Sequence, residues 1–359
     1  MKVAVIGVGY WGAKLLRNLV RLLGPDRVVV ADSDPDRLVR LRQQYPSVPA
    51  VPDLSAALRH RDVRAVVIAT PVSTHARLTA EALHAGRHVL VEKPLAVSAA
   101  RAHALSELAR RHGLVLMVGH TFLFSPRVRW IAGELAAGGL GQLQYLTSSR
   151  LNLGPYRDDA DVIWDLAPHD VSIALHLLKE MPESVHATAR SVVRAGAPDV
   201  AFLEMTFPSG VLASVTVSWL APRKTRTLTI VGDRKMLVYD DMAAEEPVKV
   251  YDKGLTPDHA TGSGASGMAC RHGDTVAPRI PGYEPMAEQL DHFLGCVRGG
   301  GRPESDGAFA TSVVAVLEAA DRSWREGGRR VPVGPGPAGV LARRGVQAPT
   351  VGSYTEAVP

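Results

Sequence analysis

The chain has 359 residues, 46% of them hydrophobic and 21% charged, with a formal net charge of +5; that length predicts two domains with cores of their own. Its only cysteines, Cys270 and Cys296, lie far apart with no histidine or cysteine cluster beside them, which argues against a disulfide framework and a zinc site and predicts a reduced, cytoplasmic setting. No apolar run reaches the ~20 residues of a membrane span, and the arginines are scattered rather than clustered, so neither a membrane nor a nucleic-acid partner is expected.

In chain order, "KVAVI" (2–6) reads as a buried strand; it is short and meets glycines at once, unlike a signal peptide. Helical spacing follows at 10–23, a strand at 27–32, and a helix at 35–45 with Pro35 at its start. Strands at 64–70, 87–94 and 114–120 alternate with helices at 73–86 and 98–113. Near-continuous apolar strands separated by helices predict a doubly wound parallel sheet, a Rossmann-type α/β domain over 1–122. Residues 125–141 suggest a helix and 142–154 an extended segment. Five alternating strands between about 184 and 250, with helices at 285–297 and 304–326, predict a second α/β domain over 123–333. Its large, open sheet is expected to be mostly antiparallel. The Gly/Pro-rich tail, 334–359, is expected to be poorly ordered or draped on a neighbour.

"GVGYWG" sets Gly7, Gly9 and Gly12 in G-x-G-x-x-G spacing, after a strand and opening a helix. Gly7 permits the tight turn, Gly9 the approach of a pyrophosphate, and Gly12 close helix–strand packing, while the helix N-terminus offers free N–H groups. Asp32, at the end of the second strand, can accept from the ribose hydroxyls; its neighbours are Ser33 and Asp34, with no arginine immediately following, which favours NAD over NADP. Alternatively, Asp32 caps the next helix.

"VEKPL" places Glu92, Lys93 and Pro94 at the C-terminal end of a parallel strand, the edge where ligands of such sheets bind. An ammonium there can bond a sugar hydroxyl and favour its deprotonation; the alternative is a salt bridge from Lys93 to Glu92. No metal-ligand spacing and no G-x-S-x-G nucleophile pattern occurs.

Together, "GVGYWG", "TPVSTH" (70–75), "EKPL" (92–95) and Asp165-x-x-x-His169 resemble the Gfo/Idh/MocA oxidoreductase family over residues 1 to about 333. "VGHTFLF", "SSRLNLGPYR", "VIWDLAPHD" and "EPMAEQLDHFLGCVRGGGRPESDG" resemble its branch that oxidises nucleotide-activated hexoses at C3. The resemblance implies NAD as cofactor, a UDP-glucose or UDP-GlcNAc type of substrate, and a homodimer or homotetramer built through the C-terminal sheet. It implies Lys93, Asp165 and His169 as catalytic residues. His169 is the leading acid/base, since an unperturbed imidazole titrates near neutral pH; the alternative is that Lys93 takes the proton. The four-residue spacing predicts Asp165 and His169 on one side of a helical turn. Cofactor contacts are expected from Tyr10 and Trp11 of the glycine loop, from Ser33, and from Thr70, Pro71, His75 and Glu92. Substrate contacts are expected from His120, Arg150, Asn152, Arg157, Trp164 and Tyr283. Competing readings are a polyol (inositol) dehydrogenase, a keto-sugar reductase, NAD-dependent glycoside cleavage, and an NAD-binding regulatory protein without turnover.

Overall fold

A computed structural model describes residues 1–154, 156, 159–258 and 267–334. In the first half, β1 (Lys2–Ile6), α1 (Tyr10–Leu23), β2 (Val28–Ala31), α2 (Pro35–Gln44), β3 (Ala50–Val51) and α3 (Leu54–Leu58) follow one another. Then come β4 (Val63–Ile68), α4 (Val72–His84), β5 (His88–Val91), α5 (Ala99–Arg111) and β6 (Leu116–Val118). The six strands form one parallel sheet in the order β3-β2-β1-β4-β5-β6. Because the order reverses between β1 and β4, their C-terminal ends open a crevice for a ligand. β3 and α3 lie outside the sequence-based expectation: two and five residues are too few to show a period.

The second half holds α6 (Pro126–Ala136), β7 (Leu143–Leu153), α7 (Val162–Asp165), α8 (Ala167–Leu178), β8 (Ser184–Arg190), β9 (Val200–Thr206) and β10 (Leu212–Ser218). It continues with β11 (Leu220–Gly232), β12 (Met236–Asp240), β13 (Val248–Asp258), β14 (Gly267–Val276), α9 (Pro285–Val297), α10 (Gly307–Arg325) and β15 (Val331–Pro332). Nine strands pair in the order β14-β13-β12-β11-β7-β10-β9-β8-β15. All pairs are antiparallel except β7 with β10, which a helical crossover brings side by side.

One face of this sheet is covered and one is open. Ala201, Leu203 and Met205 of β9 and Ala213, Val215 and Val217 of β10 point inward and are buried. Phe202, Leu212 and Tyr145 point outward and stay exposed, as the period of two requires. Ten of the twelve residues of α8 are buried, because the helix lies between the sheet and α6 and α10.

The C-terminal helices return to the first layer. The Val118 N–H donates to the Ser305 carbonyl (2.8 Å) and Ser305 Oγ donates back to the Val118 carbonyl (2.7 Å). From there α10 packs on α5, and α9 packs on α1. A cut near residue 122 therefore separates the sheets but leaves α9 and α10 shared between them. The tail from 335 onward lies outside the described residues.

Candidate active site

Three glycines shape the turn from β1 to α1. Gly7 has φ 84°, a region that L side chains avoid. A Cβ on Gly7 would also lie 2.8 Å from Thr70 Cγ2, and one on Gly12 would collide with the Gly7 carbonyl. Around Gly9 nothing lies within 4 Å of a Cβ position, so the backbone there faces open space. No side chain caps α1 at Gly9, which leaves its first N–H groups for an anion. This cradle fits the pyrophosphate of a dinucleotide.

Asp32 is buried, with Oδ2 accepting from the Val8 N–H (2.7 Å) and Oδ1 from the Asp34 N–H (2.9 Å). It therefore ties the glycine loop to the end of β2. The helix cap is Asp34, which accepts from the N–H groups of Asp36 and Arg37. Ser33 is exposed in the same turn. No arginine follows Asp32 directly, but the first turn of α2 brings Arg37 to 3.6 Å from its carboxylate.

Tyr10 and Trp11 stand at the start of α1 with ring centroids 5.1 Å apart, and Lys14 Nζ lies 4.0 Å from the Tyr10 ring centre. Across the crevice, Thr70 Oγ1 bonds Thr74 Oγ1 at 2.6 Å, and Pro71 precedes α4. His75 departs from its expected part as a cofactor contact. It is buried, and its ring nitrogens face the Pro94 and Thr70 carbonyls, each at 2.8 Å. Both nitrogens are committed to the chain, so His75 braces the two turns that flank the crevice.

At the end of β5, the Glu92 N–H donates to the Ile68 carbonyl (2.9 Å), and the peptide bond from Lys93 to Pro94 is cis. Lys93 does not pair with Glu92 as the alternative reading has it. Its Nζ crosses to the second half and donates to the Asp165 carbonyl oxygen (2.5 Å) and to Asp165 Oδ1 (3.2 Å). Side-chain exposure of this pair is 9% and 16%, so the contact is largely desolvated.

Asp165 and His169 do not share one helical turn. Asp161 caps α7 by accepting from the Ile163 and Trp164 N–H groups. The helix ends at Asp165, and α8 starts at Ala167 with Pro168 in its first turn. Proline has no N–H to continue the ladder, and the chain breaks there. Asp165 closes one helix and His169 opens the next, both beside Lys93.

His169 is half-buried, and its Nδ1 has no hydrogen-bond partner among the described residues. Its ring meets the Phe122 ring edge-on at 5.1 Å. Burial, then the charges of Lys93 and Arg150, hold the imidazole well below its ordinary titration range. The expectation of an unperturbed imidazole is thus corrected: near neutral pH, His169 is uncharged and able to accept a proton.

Arg150, expected among the substrate contacts, is buried and engaged. Its Nε donates to Asp170 Oδ2 at 2.5 Å and Nη2 to Oδ1 at 3.3 Å, while Ser148 Oγ donates to the same carboxylate. The guanidinium lies over the Phe122 ring at 4.3 Å. An arginine so paired cannot swing out to a ligand without leaving Asp170 as a buried, unpaired charge.

Other expected residues are dispersed. His120 is buried, edge-on to Phe309 at 5.8 Å, and close enough to His169 to act on its titration. Trp164 is half-buried between the two cores, and Asn152 is half-buried near the end of β7. Tyr283 is 41% exposed ahead of α9 and neighbours Arg129, which pairs with Glu288 and Glu304; the structure places it with that junction. Arg157 lies outside the described residues. Sequence reasoning missed Phe122, the ring that His169, Arg150 and Arg226 share. It also missed Arg226, which sits opposite Arg150 across the β7–β11 ladder. Two arginines in one cross-strand pair are the available signal, because like charges so placed each need an acid; here these are Asp170 and Asp241.

Comparison with known proteins agrees with this fold. Residues 1–120 match the model of an oxidoreductase family with an NAD-binding Rossmann fold, and residues 129–238 match the GFO/IDH/MocA C-terminal domain. The chain is 29% identical over 321 residues to UDP-N-acetylglucosamine 3-dehydrogenase of Acidithiobacillus ferrooxidans, covering 88% of this chain and 94% of the relative. A solved structure of that enzyme superposes with a TM-score of 0.73 over 90% of this chain and 98% of the other, at 26% identity. Myo-inositol dehydrogenase Hyg17 of Streptomyces leeuwenhoekii is 29% identical over 93% of this chain and 100% of its own length. GenD2 from gentamicin A biosynthesis, solved in complex with NAD, gives a TM-score of 0.77 at 27% identity, over 93% of this chain and 97% of the other. Two family domains in the right order, a dinucleotide cradle, and a lysine meeting an Asp–His pair at its mouth thus have one common source: the chain belongs to the Gfo/Idh/MocA family of NAD-binding oxidoreductases.

Proposed function

We propose that the enzyme oxidises a nucleotide-activated hexose, of the UDP-GlcNAc or UDP-glucose type, at C3 to the 3-keto sugar, ahead of an amino-transfer step. The observation that carries the reading is Lys93 held on Asp165 beside a neutral His169, in a chain similar over nearly its whole length to a UDP-N-acetylglucosamine 3-dehydrogenase.

NAD, when bound, supplies the hydride acceptor. This chain's residues do the rest. An ammonium has three N–H donors; Lys93 uses two on Asp165, which leaves one for the substrate hydroxyl and favours its ionised form. Asp165 fixes the direction of that donor. His169, uncharged, takes the hydroxyl proton. Gly9, the α1 N-terminus and Asp32 seat the dinucleotide. A homo-oligomer forms through the open face of the nine-stranded sheet.

A second reading, oxidation of a free polyol, has its own support in the similarity to an inositol dehydrogenase. NADH formation across a panel of UDP- and dTDP-hexoses and free inositols separates the two. Turnover of inositols with none on any nucleotide sugar, in either direction, overturns the first reading.

A further inference from the structure

Arg150 is committed to Asp170 and Arg157 lies outside the described residues, so a cation for the substrate's diphosphate has to be sought elsewhere among the described residues. Strands β7 and β11 pair regularly from Gly232 back to Thr225, which faces Leu151. The next pair is Leu220 with Leu153. Four residues of β11, "APRK" (221–224), thus stand against the single residue Asn152. Extra residues in one strand force a bulge that re-aims side chains, and Pro222 has no N–H to restore the ladder.

The bulge presents Arg223 and Lys224, both exposed. Among the ion pairs of the described residues, neither has a carboxylate partner. Just beyond it, Arg226 pairs with Asp241 at 3.1 Å and lays its guanidinium 5.4 Å from the centre of the Phe122 ring. The same ring meets His169 edge-on. Lys224 and Arg226 also bear on Tyr10, the first residue of α1, whose phenol titrates lower chiefly because of Lys14 and further because of these two. The bulge therefore lies between the glycine loop and His169, at the mouth of the site.

We propose that Arg223, Lys224 and Arg226 form the subsite for the diphosphate of a nucleotide-activated substrate. This rests on the nucleotide-sugar reading and names the residues that distinguish such a substrate from a free polyol. The dinucleotide's own pyrophosphate has a separate cradle at Gly9 and the α1 N-terminus. Two exposed cations without a carboxylate partner among the described residues, beside Arg226 on its Asp241, suit a second diphosphate. Arginine matches phosphate oxygens as a planar fork, and lysine as a mobile point charge. A polyol brings no charge to either.

The test is calorimetric titration of the NAD-bound enzyme with UDP, and separately with inorganic pyrophosphate, for the wild type, the double variant Arg223→Ala/Lys224→Ala, and Arg226→Lys. Circular dichroism melts check that each variant folds. The double variant is expected to weaken UDP about tenfold or more, as loss of hydrogen bonds to a charged group does. It should raise KM for UDP-GlcNAc by a similar factor with a small change in kcat, and leave NAD affinity within about twofold. Unchanged UDP affinity in a folded double variant overturns the subsite, as does a loss of NAD affinity in place of UDP affinity. UDP binding that depends on the bulge, in an enzyme that turns over no nucleotide sugar, keeps the subsite and sinks the substrate reading. A wild type that binds neither probe sinks the subsite whatever the substrate.

Discussion

At the scale of single residues, electrostatics decides more than identity does. Burial and the cations Lys93 and Arg150 keep His169 neutral, the state that its proposed part as base requires. The sign is plain: protonation removes the base, so oxidation is lost on the acid side. With the titration held down, that loss sets in below the ordinary imidazole range of about 6.5. A profile of kcat/KM against pH measures it, and an inflection at or above that value contradicts the assignment. Replacing His169 or Lys93 with alanine is expected to lower kcat by ~10²–10⁴-fold, the usual worth of a positioned proton-transfer group, while NAD still binds by fluorescence titration. Asp32 holds the glycine loop through the Val8 N–H and its own turn through the Asp34 N–H, and its buried carboxylate would repel a 2′-phosphate. Asp32→Ala should weaken NAD roughly tenfold or more and narrow its advantage over NADP, read as the ratio of the two dissociation constants; an unchanged ratio counts against the ribose contact. Lys93, Asp165 and His169 are singled out through the family resemblance that their motifs carry. The neutral state of His169 and the burial of Arg150 are not legible in the sequence, because both depend on neighbours distant in the chain.

Elements carry the next level of constraint. Gly12 packs so closely on Gly7 that a methyl group has no room. Gly12→Ala is expected to cost about 1–3 kcal/mol in urea unfolding, as overpacking does, and to reduce NAD binding. Stability equal to the wild type would mean that helix and loop can separate freely. Asp170 links α8 to β7 through Arg150 and Ser148. Asp170→Asn leaves Arg150 buried with a weakened partner, and a loss of roughly 3–5 kcal/mol follows from breaking such a pair. A change below 1 kcal/mol would show that water reaches the guanidinium. The run "VIWDLAPHDVSIAL" displays how far a pattern reads. Its apolar residues mark a buried helix, which α8 is. The break before Pro168 moves Asp165 and His169 onto separate helices, which the Leu166 and His169 backbone bonds keep joined; Lys93 then meets Asp165, and Phe122 meets His169.

On the scale of the whole molecule, the nine-stranded sheet leaves one face bare. Tyr145, Phe202 and Leu212 are each more than 40% exposed there, beside a shallow cavity of about 310 Å³ that also touches His186, Glu204 and Arg330. A sheet face of this kind suits a second copy of the chain. Phe202→Glu/Leu212→Glu is expected to shift the mass from a dimer or tetramer to a monomer in light scattering, without loss of helix signal; a wild type that is already monomeric rejects the interface. The parallel sheet, the antiparallel strands after residue 184 and the dinucleotide turn are all determined by the sequence alone, since apolar periodicity and glycine spacing act over a few residues. Tertiary structure alone decided that α9 and α10 fold back on the first layer, that β7 and β10 run parallel, and that Arg150 belongs to Asp170 while Arg226 belongs to Asp241. Those outcomes depend on which distant surfaces exclude water together, and a charge's partner is fixed only when that packing is complete.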